Sequence, residues 1–106
     1  MKRINIQNYR ESGSKIFSGR DSGIAARQKL DLNKLDLDNE RYEIIIPEDT
    51  YSISGSFFGG LFSDSVIRLG EDGFRNKYHF MHSNKELGES LKHDIEEGIY
   101  DTINDL

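Results

Sequence analysis

The chain of 106 residues contains no cysteine, no tryptophan and a single proline, Pro47. Without cysteine there is no disulfide staple, no thiolate metal site and no thiol nucleophile. Stability must come from one hydrophobic core, and a chain of about 100 to 150 residues suffices for a single domain. Long apolar runs are missing too. None approaches the roughly 20 residues that cross a bilayer, and Met1-Lys2-Arg3 leads into a strand pattern rather than the apolar stretch of a signal peptide. The expectation is a soluble cytoplasmic protein of one domain, residues 1–106, with no membrane partner.

What the sequence does contain is charge, 31% of its residues, against 35% hydrophobic ones that cluster in periodic segments. Clustering of this kind argues for a fold rather than disorder. The net charge of −5 is unevenly laid out: residues 1–30 carry seven bases and two acids, and residues 31–49 carry seven acids and two bases. Residues 84–106 repeat the acidic balance, again seven against two. A basic third can touch phosphates, but bases spread over 30 residues need not share a face, and the acidic whole repels polyanions. Nucleic acid is therefore disfavoured as a partner.

Along the chain, Ile4 and Ile6 alternate as in a strand, Arg10-Glu11-Ser12-Gly13 reads as a turn, and Lys15 to Ser18 reads as the return strand of a hairpin. Asp21 or Ser22 is placed to cap a helix carrying Ile24, Ala25, Ala26 and Leu30. The run Tyr42-Glu43-Ile44-Ile45-Ile46, stopped by Pro47, predicts a central strand covered on both faces. From Ser54 or Gly55 to Leu69, Phe57, Phe58, Leu61, Phe62, Val66 and Leu69 recur at helical period, with Gly70 placed to end the helix. Gly59-Gly60 inside it implies close backbone approach to the sheet or to a partner. Tyr78 to Met81 is a last strand. Ser83 and Glu86 form an S-x-x-E box opening a helix of about 20 residues with Leu87, Leu91, Ile95, Ile99 and Ile103 on one face. The order implies an α/β fold: a small mixed, largely parallel sheet of about four strands with three helices packed on it.

Catalytic motifs are absent. Gly55 and Gly60 have P-loop spacing, but Leu61 and Phe62 stand where lysine and a hydroxyl residue belong. Ser56 lacks the flanking glycines of a hydrolase elbow. His79 and His82 are three apart on a strand and aim at opposite faces, so no shared metal is expected, and no cofactor is implied. There remains a hydroxyl-rich stretch, Tyr51-Ser52-Ile53-Ser54-Gly55-Ser56-Phe57-Phe58, between a strand and a helix N-terminus. One of its serines caps the helix, and an exposed one there is placed for an anion or a phosphoryl group.

At these residues the chain resembles the STAS-like family of small bacterial and phage-borne proteins, relatives of the STAS domain of anti-sigma-factor antagonists. The resemblance runs through Phe17-Ser18-Gly19-Arg20 with Gly23 and Arg27, then Tyr51 to Phe62, then Arg68-Leu69-Gly70 and Phe74 to Tyr78. STAS antagonists carry Asp-Ser-Ser-Gly-Leu at the strand-to-helix junction and are phosphorylated on the second serine, which falls on Ser56. Here Ser54 replaces the aspartate and Gly55 the first serine. The resemblance implies a STAS-like fold and a non-enzymatic regulatory module that binds another protein, often an ATPase of the histidine-kinase type, through Ser54, Gly55, Ser56 and Phe57. Two other readings stand beside it. One is a phosphate or nucleotide binder using Arg20 and Arg27. The other is a phage or mobile-element inhibitor acting through its acidic last helix. Ion pairing to the segment from Asp31 to Asp49 is the structural alternative for both arginines.

Overall fold

A computed structural model describes every residue except Ser12 and Leu106, so Ser12 of the expected turn lies outside the described residues. The elements are β1 (Lys2–Asn5), a 3-10 turn (Gln7–Tyr9), β2 (Ile16–Phe17), α1 (Arg20–Leu30), α2 (Leu32–Leu35), β3 (Tyr42–Ile45), β4 (Ser52–Ile53), α3 (Gly55–Lys77), β5 (Tyr78–Met81) and α4 (Lys85–Asn104). The fold is α/β. Its strands form two parallel sheets, three-stranded in the order β1-β3-β5 and two-stranded β2-β4. The expectation of about four strands and three helices thus undercounts both, because β4 is two residues long and α2 only four.

The expected hairpin between Ile4 and Lys15 does not form. Asn5 Oδ1 accepts from the Gln7 N–H at 2.8 Å and starts the 3-10 turn, which carries the chain onward instead of reversing it. Residues 2–17 then run alongside residues 42–53 in one direction, pairing first as β1 with β3 and again as β2 with β4. Partners are 40 residues apart in the first pairing and 36 in the second, so the longer excursion lies between β1 and β2.

β3 is central, as its β-branched run predicts, but it is not covered on both faces. Tyr42 and Ile44 are buried while Glu43 and Ile45 are half-buried. The same alternation holds on its neighbours, where Ile4 and Tyr78 are buried and Arg3, Asn5 and Met81 are exposed. The helices therefore cover one face of the sheet. Beneath them lies a single core dominated by aromatic rings: Phe62 packs against Phe58, Phe74, Tyr78 and Phe80 at centroid distances of 5.2 to 5.7 Å.

α3 is the centre of the helical layer, with α1 on one side and α4 on the other. Its apolar stripe is buried as the period predicts, and Gly70, at φ 75° and ψ 167°, breaks the helix where only glycine is at ease. The glycine pair approaches another helix and not the sheet. A Cβ on Gly60 would stand 2.3 Å from the Arg20 carbonyl oxygen, and one on Gly23 would stand 2.3 Å from the Phe57 carbonyl oxygen, so α1 and α3 touch backbone to backbone. This crossing sets the rotation of α1: Gly23, Ala26 and Arg27 turn inward and Ile24 turns out, against the pattern of its apolar residues.

Caps also differ from expectation. Gly19, not Asp21 or Ser22, stands at the α1 N-cap, and it makes no side-chain bond. Asn84, not Ser83, caps α4, accepting from the N–H groups of Glu86 and Leu87, while Ser83 is exposed and turned toward Glu48. The two candidates are adjacent in sequence, and the amide oxygen of Asn84 takes both donors.

Replacing Gly60 by alanine forces a Cβ into the α1 backbone and is expected to destabilise the fold by about 2 kcal/mol, the scale of overpacking. Gly55→Ala, where a Cβ meets nothing within 4 Å, serves as the contrast and is expected to be neutral or stabilising by a few tenths. Thermal melts of the two variants check this, and equal midpoints would refute the close crossing.

Candidate functional site

β2 and β4 are parallel neighbours, and each is followed at once by a helix, α1 at Arg20 and α3 at Gly55. Two helix N-termini thus emerge from the carboxyl ends of adjacent parallel strands, which is where ligands and partners meet many α/β folds. Ser54 is the α3 N-cap, its Oγ accepting from the Phe57 N–H at 3.1 Å. Gly55 and Ser56 are exposed in the first turn, whereas Phe57 is fully buried against Phe17, ring centroids 5.1 Å apart. Ser56 occupies the first helical turn as expected, but the strand before it is the short β4 rather than the central β3. The Ile53 N–H donates to Asp94 Oδ2 of α4 at 3.0 Å, which pins the end of β4.

Phe57 belongs to the core. Its role at the junction is to anchor the first turn so that Ser56 faces solvent. The exposed apolar groups nearby in the chain are Tyr51, 51% exposed, and Ile16, 43% exposed. Lys15 Nζ lies 5.3 Å from the Tyr51 ring centroid, and the Tyr51 N–H donates to the Lys15 carbonyl at 2.7 Å. The sequence did not show that Tyr51 and Ile16 face out, since strands two residues long give no alternation to read.

The two arginines part company. Arg27 is buried, and all five of its N–H donors are used: Nε and Nη2 on Asn33 Oδ1, Nη1 on the Leu61 carbonyl and Ser65 Oγ, Nη2 again on Asp36 Oδ2 at 2.8 Å. Asp36 is itself fully buried and also accepts from Ser65 Oγ and Tyr78 Oη. Arg27 is thus an ion-pair partner of the acidic segment and has no donor left for a phosphate. Burial and the hydrogen bond to Asp36 push the Tyr78 phenol well above its ordinary range, so it stays a neutral donor. The cluster holds serine, aspartate, tyrosine and arginine together, but solvent does not reach it, so no substrate can either.

Arg20 is exposed, and among the described residues its guanidinium has no hydrogen-bond or ion-pair partner. It lies over Gly59, Nη1 standing 3.0 Å from where a Cβ would be. Gly59 is three residues after Ser56, hence on the same helix face one turn on. Gly59 therefore leaves room for the cation, one helical turn along from the serine.

A second charged cluster closes the far end of the sheet. Lys77 Nζ donates to Asp38 Oδ1 at 2.7 Å and to the carbonyls of Asp38 and Glu40, while the Tyr42 hydroxyl donates to Asp38 Oδ2. Burial works against the Asp38 charge, but the bonds from Lys77 and Tyr42 outweigh it and hold the carboxyl at about 2. Burial and the same carboxylate push Tyr42 up to about 12. His79 and His82 are each turned to backbone, His79 Nε2 to the Asn76 carbonyl and His82 Nδ1 to Asn84. Among the described residues no three metal-ligating side chains gather, and no helix is long and apolar enough to cross a membrane. Family models, curated proteins and solved structures yield no match to this chain.

Two predictions follow from these clusters. Arg27→Met leaves Asp36 charged and uncompensated in the core and is expected to cost about 3 to 5 kcal/mol, whereas Arg27→Met with Asp36→Leu recovers part of that loss. Denaturant titrations of the single and double variants measure it, and additive losses would show that the pair is not coupled. The depressed Asp38 contributes stability that is fully present above its ordinary value of 3.8 and is lost as the pH falls toward 2. The gap in melting temperature between wild type and Asp38→Asn should accordingly be constant from pH 7 to 5 and close between pH 4 and 2.

Proposed function

We propose that the chain is a non-enzymatic regulatory module that binds another protein through the junction at Ser54, Gly55 and Ser56, held in place by the buried Phe57, with Ser56 as a phosphoswitch. The observation that carries this reading is the division of labour at the start of α3. Ser54 does the capping, Phe57 does the anchoring, and the Ser56 hydroxyl is left exposed with the unpaired Arg20 one turn along. Tyr51 and Ile16 supply exposed apolar surface on the strands that lead into the two helices.

A phosphoryl group on Ser56 adds about −1.5 to −2 charges next to helix N–H groups, where the dipole favours them and where Arg20 can pair with them. The folded state tolerates that charge. A partner surface fitted to a neutral hydroxyl does not, because docking must then strip water from the anion. Modification would thus switch association without unfolding the module, as in an anti-sigma-factor antagonist, and an ATPase of the histidine-kinase type is the partner class that the resemblance suggests. Arg20 also keeps a second reading in view, a free phosphate or nucleotide ligand, but with Arg27 committed to Asp36 that ligand would have a single cation to hold it.

Ser56→Asp is expected to change stability by about 1 kcal/mol or less. It should lower partner capture about tenfold when wild type, Ser56→Asp and Tyr51→Ala are immobilised and challenged with extract of the native cell. A partner retained equally by all three would place the contact elsewhere and remove the proposal. A saturable rise in melting temperature with inorganic phosphate or nucleotide, abolished by Arg20→Ala, would favour the ligand reading instead.

A further inference from the structure

A groove of about 650 Å³ runs between β5 and α4 and shares no residue with the Ser54–Phe57 junction. Tyr78, His79, Phe80, Met81 and His82 line it without a gap. Side chains of a strand alternate between faces, so five consecutive lining residues mean that the groove follows the strand's edge. β5 is an edge strand. In a parallel ladder alternate residues turn their peptide groups to the partner. The Met81 carbonyl accepts from the Ile46 N–H at 2.9 Å, so His79 and Met81 face β3 while Tyr78 and Phe80 face outward. The Tyr78 N–H is taken by the Phe74 carbonyl at the end of α3. The Tyr78 carbonyl and both peptide groups of Phe80 are left open, with no backbone partner among the described residues.

A second observation points to the same place. His82 Nε2 is the single buried side-chain polar atom without a hydrogen-bond partner among the described residues. Its ring is fixed through Nδ1, which lies 3.0 Å from the Asn84 carbonyl and 3.2 Å from the Asn84 nitrogen. Buried polar atoms are rarely left unpaired, and the residue that carries this one lines the groove. The charges of the lining cancel. Arg75 and Lys92 stand against Glu89 and Glu96, and Arg75 is bound to Glu96 at 2.6 and 2.8 Å. In a chain of net charge −5, this neutral groove selects neither an anion nor a polycation. The complementary occupant is uncharged, carries apolar groups for the floor of Ile46, Leu91 and Ile95, and offers hydrogen-bonding groups at strand spacing.

We infer that the groove binds an extended, uncharged, apolar peptide segment of a partner protein, which adds to the sheet as a strand beside β5 and bonds His82 Nε2 through a backbone amide. Alternate side chains of the segment fall on the apolar floor, and its N–H and C=O groups meet those of Tyr78 and Phe80. At about 3.3 Å per residue the five lining residues accommodate a segment of about five. The inference is independent of the proposed role of Ser56.

The test is to select binders to the full chain from a phage-displayed linear heptapeptide library, synthesise the best with a fluorescent label, and titrate it by polarisation. N-methylation of the peptide at every second residue should weaken binding about tenfold or more, and methylation at the intervening residues should not. His82→Ala should also weaken it about tenfold, and Gly88→Leu, which puts a side chain into the groove, should abolish it, with circular dichroism melts showing both variants folded. Selection of no peptide, a methylation profile without alternation, or affinity unchanged in both variants would overturn the inference. So would a dimer in sedimentation equilibrium that Gly88→Leu dissociates, since the occupant would then be a second copy of the chain.

Discussion

The ion pair between Arg27 and Asp36 is the constraint on which the rest of the molecule depends. Through Ser65 and Tyr78 it joins α1, the turn after α2, α3 and β5 in one solvent-free cluster. A buried pair of this kind is weak evidence of stability in its own right, because desolvation offsets much of the attraction. Its effect is on geometry. Nη1 of Arg27 bonds both the Leu61 carbonyl and Ser65 Oγ, one helical turn apart, and so fixes how far α1 slides along α3. Only at that setting do Gly23 and Gly60 meet, and only then does Arg20 lie over Gly59 beside Ser56. The exposed junction is in this sense built from the core outward.

The same close crossing explains an economy in the aromatic core. Six phenylalanines and five tyrosines are many rings for a chain without tryptophan. They need small neighbours to interleave. Gly98 on α4 provides one, since a Cβ there would stand 2.4 Å from the Phe58 ring. α3 is therefore approached closely on both flanks, by backbone at Gly60 and by glycine against a ring at Phe58. Its burial follows from these contacts as much as from its apolar stripe.

The parts legible in the sequence are those whose period repeats over several turns. The α3 stripe from Phe57 to Leu69 and the four-residue spacing from Leu87 to Ile103 repeat often enough to reveal their type and partner face, whereas the β-branched run at Ile44 reveals a central strand but not that only one of its faces is covered. What was not legible was decided by single contacts between distant segments. Ile16 and Phe17 look like a hairpin return until residues 2–17 are known to run beside residues 42–53. Ile24 looks like a core residue until Gly23 meets α3. At the candidate site, the place of Ser56 in the first helical turn and the capping by one of the two serines were readable from local chemistry. The separation of Arg20 from Arg27 was not, because both begin as bases on one helix. Standing seven residues apart, the two lie on similar helix faces, and only the buried Asp36 distinguishes them.

The uneven charge of the sequence has a structural reason that bears on function. The basic first third and the acidic segment after it supply the two stretches that pair as parallel strands, and their charges meet along that pairing and, for Arg27, where α1 meets the end of α2. Lys2 faces Glu40, Arg3 faces Glu43, Arg10 faces Asp49 and Arg27 faces Asp36. Four of the seven bases are thereby matched, and Lys15 is turned to the Tyr51 ring. The positive charge of the first third is thus smaller at the surface than its seven bases suggest. The acidic last helix is likewise partly consumed inside the molecule, with Asp94 on the Ile53 N–H and Glu96 on Arg75. An inhibitor that works by presenting α4 as a negative surface would have fewer free carboxylates than the sequence suggests. Arg20 is left over Gly59 with no ion-pair partner among the described residues, and on the proposed reading it is this local excess, rather than the net charge, that would act on Ser56.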